Sequence, residues 1–130
     1  MNKWVFFSGA LAVALGAFGA HALQPLLDEK LRHTYETSVQ YHFYHTLALL
    51  FTVLYSKNQS PSLLRKAQYF FFAGLFLFCG SLYTMVLLYV SGFSGWRFLG
   101  MITPLGGLSF IIGWLLLFYF FLKSKHSYIG

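Results

Sequence analysis

Charge is scarce in this chain. Lys, Arg, Asp and Glu make up 9% of its 130 residues, against roughly 25% in an ordinary soluble protein. Acid is scarcer still, with three Asp and Glu set against sixteen Phe. A chain this short leaves much of its surface exposed when it folds in water, and these polar groups are too few to cover it. A soluble monomer is therefore excluded, and so is a disordered tail. Cysteine is limited to Cys79, inside an apolar run, so no disulfide framework or CxxC chemistry is available. It reads as a small buried filler. Hydrolytic and transfer signatures are also missing: the chain has no HExxH, no GxSxG and no Gly-rich phosphate loop after a strand. Asp28 and Glu29 are neighbours on a polar segment rather than a pair facing across a cleft. No enzymatic activity and no cofactor are expected.

What the chain has instead is apolar length. Hydrophobic residues make up 58% of it, gathered into runs that approach the 20 or so residues needed to cross a bilayer. The runs are placed at about 4–23, 37–56, 67–90 and 98–122, and none shows the sustained alternation of a barrel strand. The expectation is a single all-α domain over 1–130: an integral membrane four-helix bundle. Met1-Asn2-Lys3 and the first run imitate a secretory signal ending at Ala20-His21-Ala22. That run is long for a signal core, and three more follow, so it is read as a retained span. Between the first two spans, Asp28 is a good N-cap with Glu29 in the first turn, and Leu27, Leu31 and Tyr35 recur every four residues. This segment reads as a short interfacial helix or as an outward extension of the second span.

The net charge of +6 would suggest nucleic acid in a soluble domain. Here the basic residues lie in ones and twos between apolar runs and form no basic face, so no nucleic-acid partner is expected. They orient the chain instead. Lys3, Lys57, Arg65, Lys66, Lys123 and Lys125 fall on one side of a four-span arrangement, and Lys30, Arg32 and Arg97 on the other. The positive-inside rule places both termini in the cytoplasm. Arg97, beside Trp96 and Phe98, reads as an interfacial anchor.

In lipid, helices gain little by hiding apolar surface from one another, so close backbone approach matters more. The first span offers Ser8, Ala12, Gly16 and Ala20 at every fourth position; the third offers Gly80, and the fourth Gly106, Gly107 and Gly113. These are read as helix-packing positions. Pro104 lacks an N–H and disfavours helix at Thr103, so the fourth span is expected to kink there, or to begin there after a non-regular lead-in from Gly95.

Ionisable groups inside spans are functional candidates by default. His21 near the outer end of the first span, and Glu36, Tyr41, His42 and His45 at the outer start of the second, form the candidate cluster. His42 and His45 are about 60° apart on a helix and share a face. Three imidazoles would suit zinc or copper, and two from different helices a haem iron. The plainer reading is that they bond to Tyr, Ser or backbone and fix helix register.

Gly16-Ala17-Phe18-Gly19-Ala20-His21, the segment Glu36-Thr37-Ser38-Val39-Gln40-Tyr41-His42-Phe43-Tyr44-His45, Gly80-Ser81-Leu82-Tyr83, and Thr103-Pro104-Leu105-Gly106-Gly107 with Gly113-Trp114 follow in order along the chain. Together they resemble the motifs of the small multi-pass membrane family called domain of unknown function 423, which includes animal transmembrane protein 256. The resemblance implies four membrane helices and a bacterial inner-membrane setting, and it implies no activity. Its motifs include His21, Glu36, Tyr41, His45 and Tyr83, which points to a His21–Glu36–His45 constellation. Glu36 stands about 180° from His45 on an ideal helix, so a break near Gln40 or a neighbouring helix would be needed to join them. The leading expectation is a non-enzymatic structural or accessory subunit whose partners are the bilayer and a second copy or another membrane protein. The rival is a small oligomeric transporter or a metal- or haem-binding protein using the histidines.

Overall fold

A computed structural model describes residues 2–56 and 62–126, and among the described residues every element is helical. Lys57, which the charge count used, lies outside the described residues. Helix α1 (Asn2–Phe18) runs without interruption into a π-helical turn, Gly19–Leu23, and a 3-10 turn, Gln24–Leu26. Pro25 ends it, since it offers no N–H to continue the ladder, and Leu27 turns to extended backbone at φ −106° and ψ 140°.

Helix α2 (Glu29–Ser56) is 28 residues long. Asp28 starts it by accepting the Leu31 N–H on Oδ1 at 2.8 Å. Neither Gly nor Pro occurs between Glu29 and Ser56, so nothing separates the polar first turns from the apolar remainder. Of the two readings of this segment, a short interfacial helix or an outward extension of the helix that follows, the structure matches the second: it is the beginning of α2, and the helix does not break near Gln40.

Helices α3 (Ser62–Gly74) and α4 (Gly80–Val90) form one rod joined by a second π turn, Leu75–Cys79. The rod stops at Gly92, whose φ of 77° is a left-handed conformation that glycine adopts at little cost. A 3-10 segment, Ser94–Met101, then leads into α5 (Thr103–His126). Pro104 sits in the first turn of α5, where its missing N–H is harmless. Of the two expectations at Pro104, the structure follows the second: the long helix begins there. Among the described residues, three stretches are long and apolar enough to cross a membrane: Lys3–Leu26, Ser62–Val90 and Arg97–Ser124. α2 has the length but carries Glu29, Lys30, Arg32, His33 and Glu36 in its first turns.

α2 occupies the middle, packing against α1 on one side and the α3–α4 rod on the other, while α5 lies along α3 and its π turn. Val5, Leu49, Leu64, Phe71 and Val86 from four helices are almost wholly enclosed. The outward faces are apolar as well, with Phe6, Phe76, Met101, Ile111 and Phe118 exposed, as suits a solvent of acyl chains.

Close approach falls at particular small residues. A Cβ on Gly106 would run into the backbone of Leu77 and Phe78, and one on Gly113 would stand 2.9 Å from the Phe71 ring. On Gly16 it would be 3.3 Å from Val39 Cγ1. Ser8 and Ala12 are buried, whereas Ala20 is exposed. Gly80 and Gly107 are looser, with nearest atoms at 3.9 Å (Leu75 O) and 3.8 Å (the Phe78 ring).

Candidate functional site

α2 carries Ser38, His42 and Thr46 at four-residue spacing, which lines them along one face, and all three are buried. α1 brings Ser8 to this face and α4 brings Tyr83. Ser8 Oγ lies 2.8 Å from Thr46 Oγ1 and 3.1 Å from His42 Nε2. On the other side of the ring, His42 Nδ1 lies 3.2 Å from the Tyr83 hydroxyl. Ser38 donates to the carbonyl of Cys79 at 3.1 Å, where the π turn of the rod ends. The Tyr83 ring also packs edge-on against Tyr35, 5.4 Å between centroids. Three helices are thus joined by one polar line, Thr46–Ser8–His42–Tyr83, through an otherwise apolar interior.

The hydrogen-bond inventory limits what this line can do. A neutral imidazole donates from one nitrogen and accepts at the other, and His42 has a hydroxyl on each side to match. A hydroxyl has one hydrogen and two lone pairs. Ser8 meets both Thr46 and His42, which occupies two of its three hydrogen-bonding positions.

His45 lies one turn further along α2 and faces another neighbour. Its Nδ1 donates to the Tyr41 carbonyl at 2.8 Å, and its Nε2 accepts from Trp114 Nε1 of α5 at 3.3 Å. The ring stacks on Phe110 with centroids 3.6 Å apart. Tyr41 is partly exposed, and its ring stacks on Phe78 at 4.7 Å. The 60° between His42 and His45 is enough to send one toward α1 and α4 and the other toward α5. They share a face, but they do not share a ligand position.

The remaining candidates stand apart. His21 is exposed on the π turn that follows α1. Glu36 is exposed and lines, with Gly16, Ala20 and Arg32, a shallow pocket of about 220 Å³. At its base the Tyr35 hydroxyl donates to the Leu15 carbonyl at 2.6 Å, and Gly19 leaves room for the ring. The constellation of His21, Glu36 and His45 is not assembled. Among the described residues, no three His, Cys, Asp or Glu stand together as a metal could use them.

Sequence reasoning found His42 and Tyr83 but assigned no role to Thr46, and it read Ser8 only as packing. The repeat Ser38–His42–Thr46 along one face of an apolar helix was the available signal. Further bonds tie α5 to its neighbours: Ser81 meets Thr103 at 2.8 Å, and Ser109 donates to the Phe70 carbonyl at 3.0 Å.

Beside the polar line, a groove of about 520 Å³ opens between α1 and the α3–α4 rod. Trp4, Phe7, Leu11 and Leu15 form one wall and Phe72 and Phe76 the other, while Ser8, His42, Cys79, Gly80 and Tyr83 lie deeper. Among the described residues, no Lys, Arg, Asp or Glu lines it.

Comparison with known proteins places the chain. A family model described as "Protein of unknown function (DUF423)" matches residues 15–107. The UPF0382 membrane protein YwdK of Bacillus subtilis is 43% identical over 108 residues, covering 82% of this chain and 83% of its own. A UPF0382 membrane protein of Haemophilus influenzae is 37% identical over 127 residues, covering 95% and 97%. The UPF0382 inner membrane protein YgdD of Escherichia coli is 36% identical over 110 residues, covering 85% and 79%. No solved structure matches. The chain belongs to the DUF423 family of membrane proteins.

Proposed function

We propose that this DUF423 protein is a non-enzymatic structural or accessory subunit of the bacterial inner membrane. In this reading it is a four-helix bundle in which α2 supplies the second span over about 37–56, with both termini cytoplasmic. The carrying observation is how the motif side chains are used. His42, His45, Tyr83 and Trp114 bond to groups on neighbouring helices, and among the described residues no buried side-chain polar atom lacks a partner. An imidazole with both nitrogens engaged holds helices in register and is poorly placed to bind metal or abstract a proton. The distribution of Lys and Arg supports the orientation, and the likeness to an inner membrane protein of Escherichia coli supports the membrane.

An accessory subunit needs a partner, either a second copy or another membrane protein. The lipid-facing aromatic surface is where such a partner would sit. Membranes carrying an affinity-tagged chain should be cross-linked in the native bilayer and then solubilised in mild detergent. A stoichiometric partner, or a defined homo-oligomer, is the expected product. A chain recovered alone and monomeric, with solute flux or turnover after reconstitution, would overturn the reading.

A further inference from the structure

The motif segments that end α1 and begin α2 meet in the shallow pocket beside Glu36. Gly16, Gly19 and Ala20 come from the first, and Glu36, Val39 and Gln40 from the second. Arg32, one turn before Glu36, lines it as well. Tyr35 closes the base: its ring fills the space that a Cβ on Gly19 would need, and its hydroxyl is already spent on the Leu15 carbonyl at 2.6 Å. The depth of the pocket in the bilayer follows from the first span. From Lys3 to Gln24 the helical rise is roughly 32 Å at 1.5 Å per residue, about the thickness of a hydrocarbon layer. The pocket therefore runs from the acyl layer at Gly16 up to the headgroups at Gln24.

Three observations define the occupant. First, among the described residues the charged groups lining the pocket are Arg32 and Glu36, of opposite sign. Four residues apart on one helix, they stand on the same face within reach of each other. Yet neither side chain is paired with the other or with any other described group. A free cation thus stands beside a free anion: the guanidinium fork suits a phosphate, and the carboxylate accepts from an ammonium. A ligand with one charge alone would leave the other side chain unmatched. Second, the anionic side offers acceptors and no cage. A quaternary ammonium has no N–H and is held by aromatic faces, and the one aromatic ring lining the pocket, Tyr35, is seated on Gly19. A primary ammonium has three donors, and Glu36 and Gln40 supply acceptors for them. Third, about 220 Å³ is less than the roughly 300–1,000 Å³ of sites for drug-sized molecules. That is room for a headgroup but not for the chains attached to it, which stay in the bilayer.

We propose that this pocket binds the headgroup of an aminophospholipid, its phosphate on the Arg32 guanidinium and its primary ammonium on the Glu36 carboxylate. The short link between phosphate and nitrogen suits charges set one helical turn apart. The carboxylate distinguishes this lipid from an anionic one, whose headgroup it repels, and the N–H groups distinguish it from a choline lipid. A soluble zwitterion shares the chemistry but lacks the acyl chains that would hold it at this depth. The site does not depend on whether the protein is an accessory subunit, nor on which side of the membrane the pocket faces.

The test uses the full chain in mild detergent with an equimolar mixture of phosphatidylethanolamine, phosphatidylcholine and phosphatidylglycerol of identical acyl chains. Retained lipid is counted by native mass spectrometry. The wild type should retain phosphatidylethanolamine roughly threefold to fivefold over either of the others, the worth of one ion pair at an open site. Glu36→Gln should bring it down to the level of phosphatidylglycerol, and Arg32→Gln to the level of phosphatidylcholine. Both side chains are exposed, so these variants keep the fold. Lys30→Gln removes a neighbouring charge that does not line the pocket and should leave the preference intact. Equal retention of the three lipids by the wild type would overturn the proposal without recourse to a variant. So would a preference that survives in Arg32→Gln and Glu36→Gln, or one that Lys30→Gln removes as fully. Glycerophosphoethanolamine, which has the headgroup without acyl chains, should compete only at far higher concentration. Competition at the concentration of the lipid would assign the pocket to a soluble zwitterion and overturn the lipid as its ligand.

Discussion

Gly106 and Gly80 sit on helices that face the same bundle, yet the structure separates them sharply. A methyl group on Gly106 would strike the backbone of Leu77 and Phe78 in the second π turn, while one on Gly80 meets nothing nearer than Leu75 O at 3.9 Å. A side chain in the way can rotate; a backbone can yield only by moving the whole rod away from α5. Overpacking of this kind costs typically about 1–3 kcal/mol, and a backbone obstacle belongs at the upper end. Replacing glycine by alanine inside a helix returns up to about 1 kcal/mol of propensity. Gly106→Ala should therefore lose about 1–2 kcal/mol net, and Gly80→Ala should be neutral or gain up to about 1 kcal/mol. Both variants, reconstituted in the same bicelles, can be compared by reversible unfolding or by steric trapping. The comparison is internal, because the chemistry of the substitution is the same at both sites. If Gly106→Ala is as stable as Gly80→Ala, then α5 does not meet the π turn as described and the close-approach reasoning fails.

Other perturbations test other joints. Tyr83→Phe leaves His42 Nδ1 without its partner at 3.2 Å; the expected loss is about 1–3 kcal/mol, partly recovered in the double variant with His42→Leu, as a coupling cycle would measure. Gly16→Leu drives a side chain into Val39, already 3.3 Å from a Cβ at that position, and should lower the melting temperature in detergent; an unchanged melt would remove Gly16 from the packing face. His21→Ala and Glu36→Gln alter exposed side chains and should change stability by no more than about 0.5 kcal/mol. Reporter fusions at either terminus should both report the cytoplasm; opposite locations would mean that an odd number of segments crosses.

The long helices were legible because lipid imposes a simple rule: about twenty residues without charge. Their ends were legible where the chemistry is local, as at Asp28, which caps α2, and Pro104, which opens α5. The join between the polar and apolar parts of α2 was left open between a separate helix and an extension. A change of composition near Tyr41 looks like a boundary, but neither Gly nor Pro occurs between Glu29 and Ser56 to break the helix. The π turns at Gly19–Leu23 and Leu75–Cys79 left no compositional trace, since an i→i+5 bond uses the same residue types as an i→i+4 bond. His42 and His45 show the limit of helical-wheel reasoning: it placed them on one face, but α1, α4 and α5 divide that face between them. Neighbouring helices, which one sequence does not order in space, decide what each imidazole meets.

The two π turns and the polar line belong to one arrangement. Ser38 of α2 donates to Cys79 O at the end of the π turn in the rod, and Tyr83, four residues on, meets His42. Tyr35 of the same helix donates to Leu15 O, one turn before the π turn that follows α1. α2 thus reaches both of its neighbours by hydroxyl groups beside their π turns, where an inserted residue shifts the hydrogen-bond register and presents backbone differently from a regular helix. In a bundle with little hydrophobic force between helices, such bonds help fix register where apolar packing alone would allow sliding.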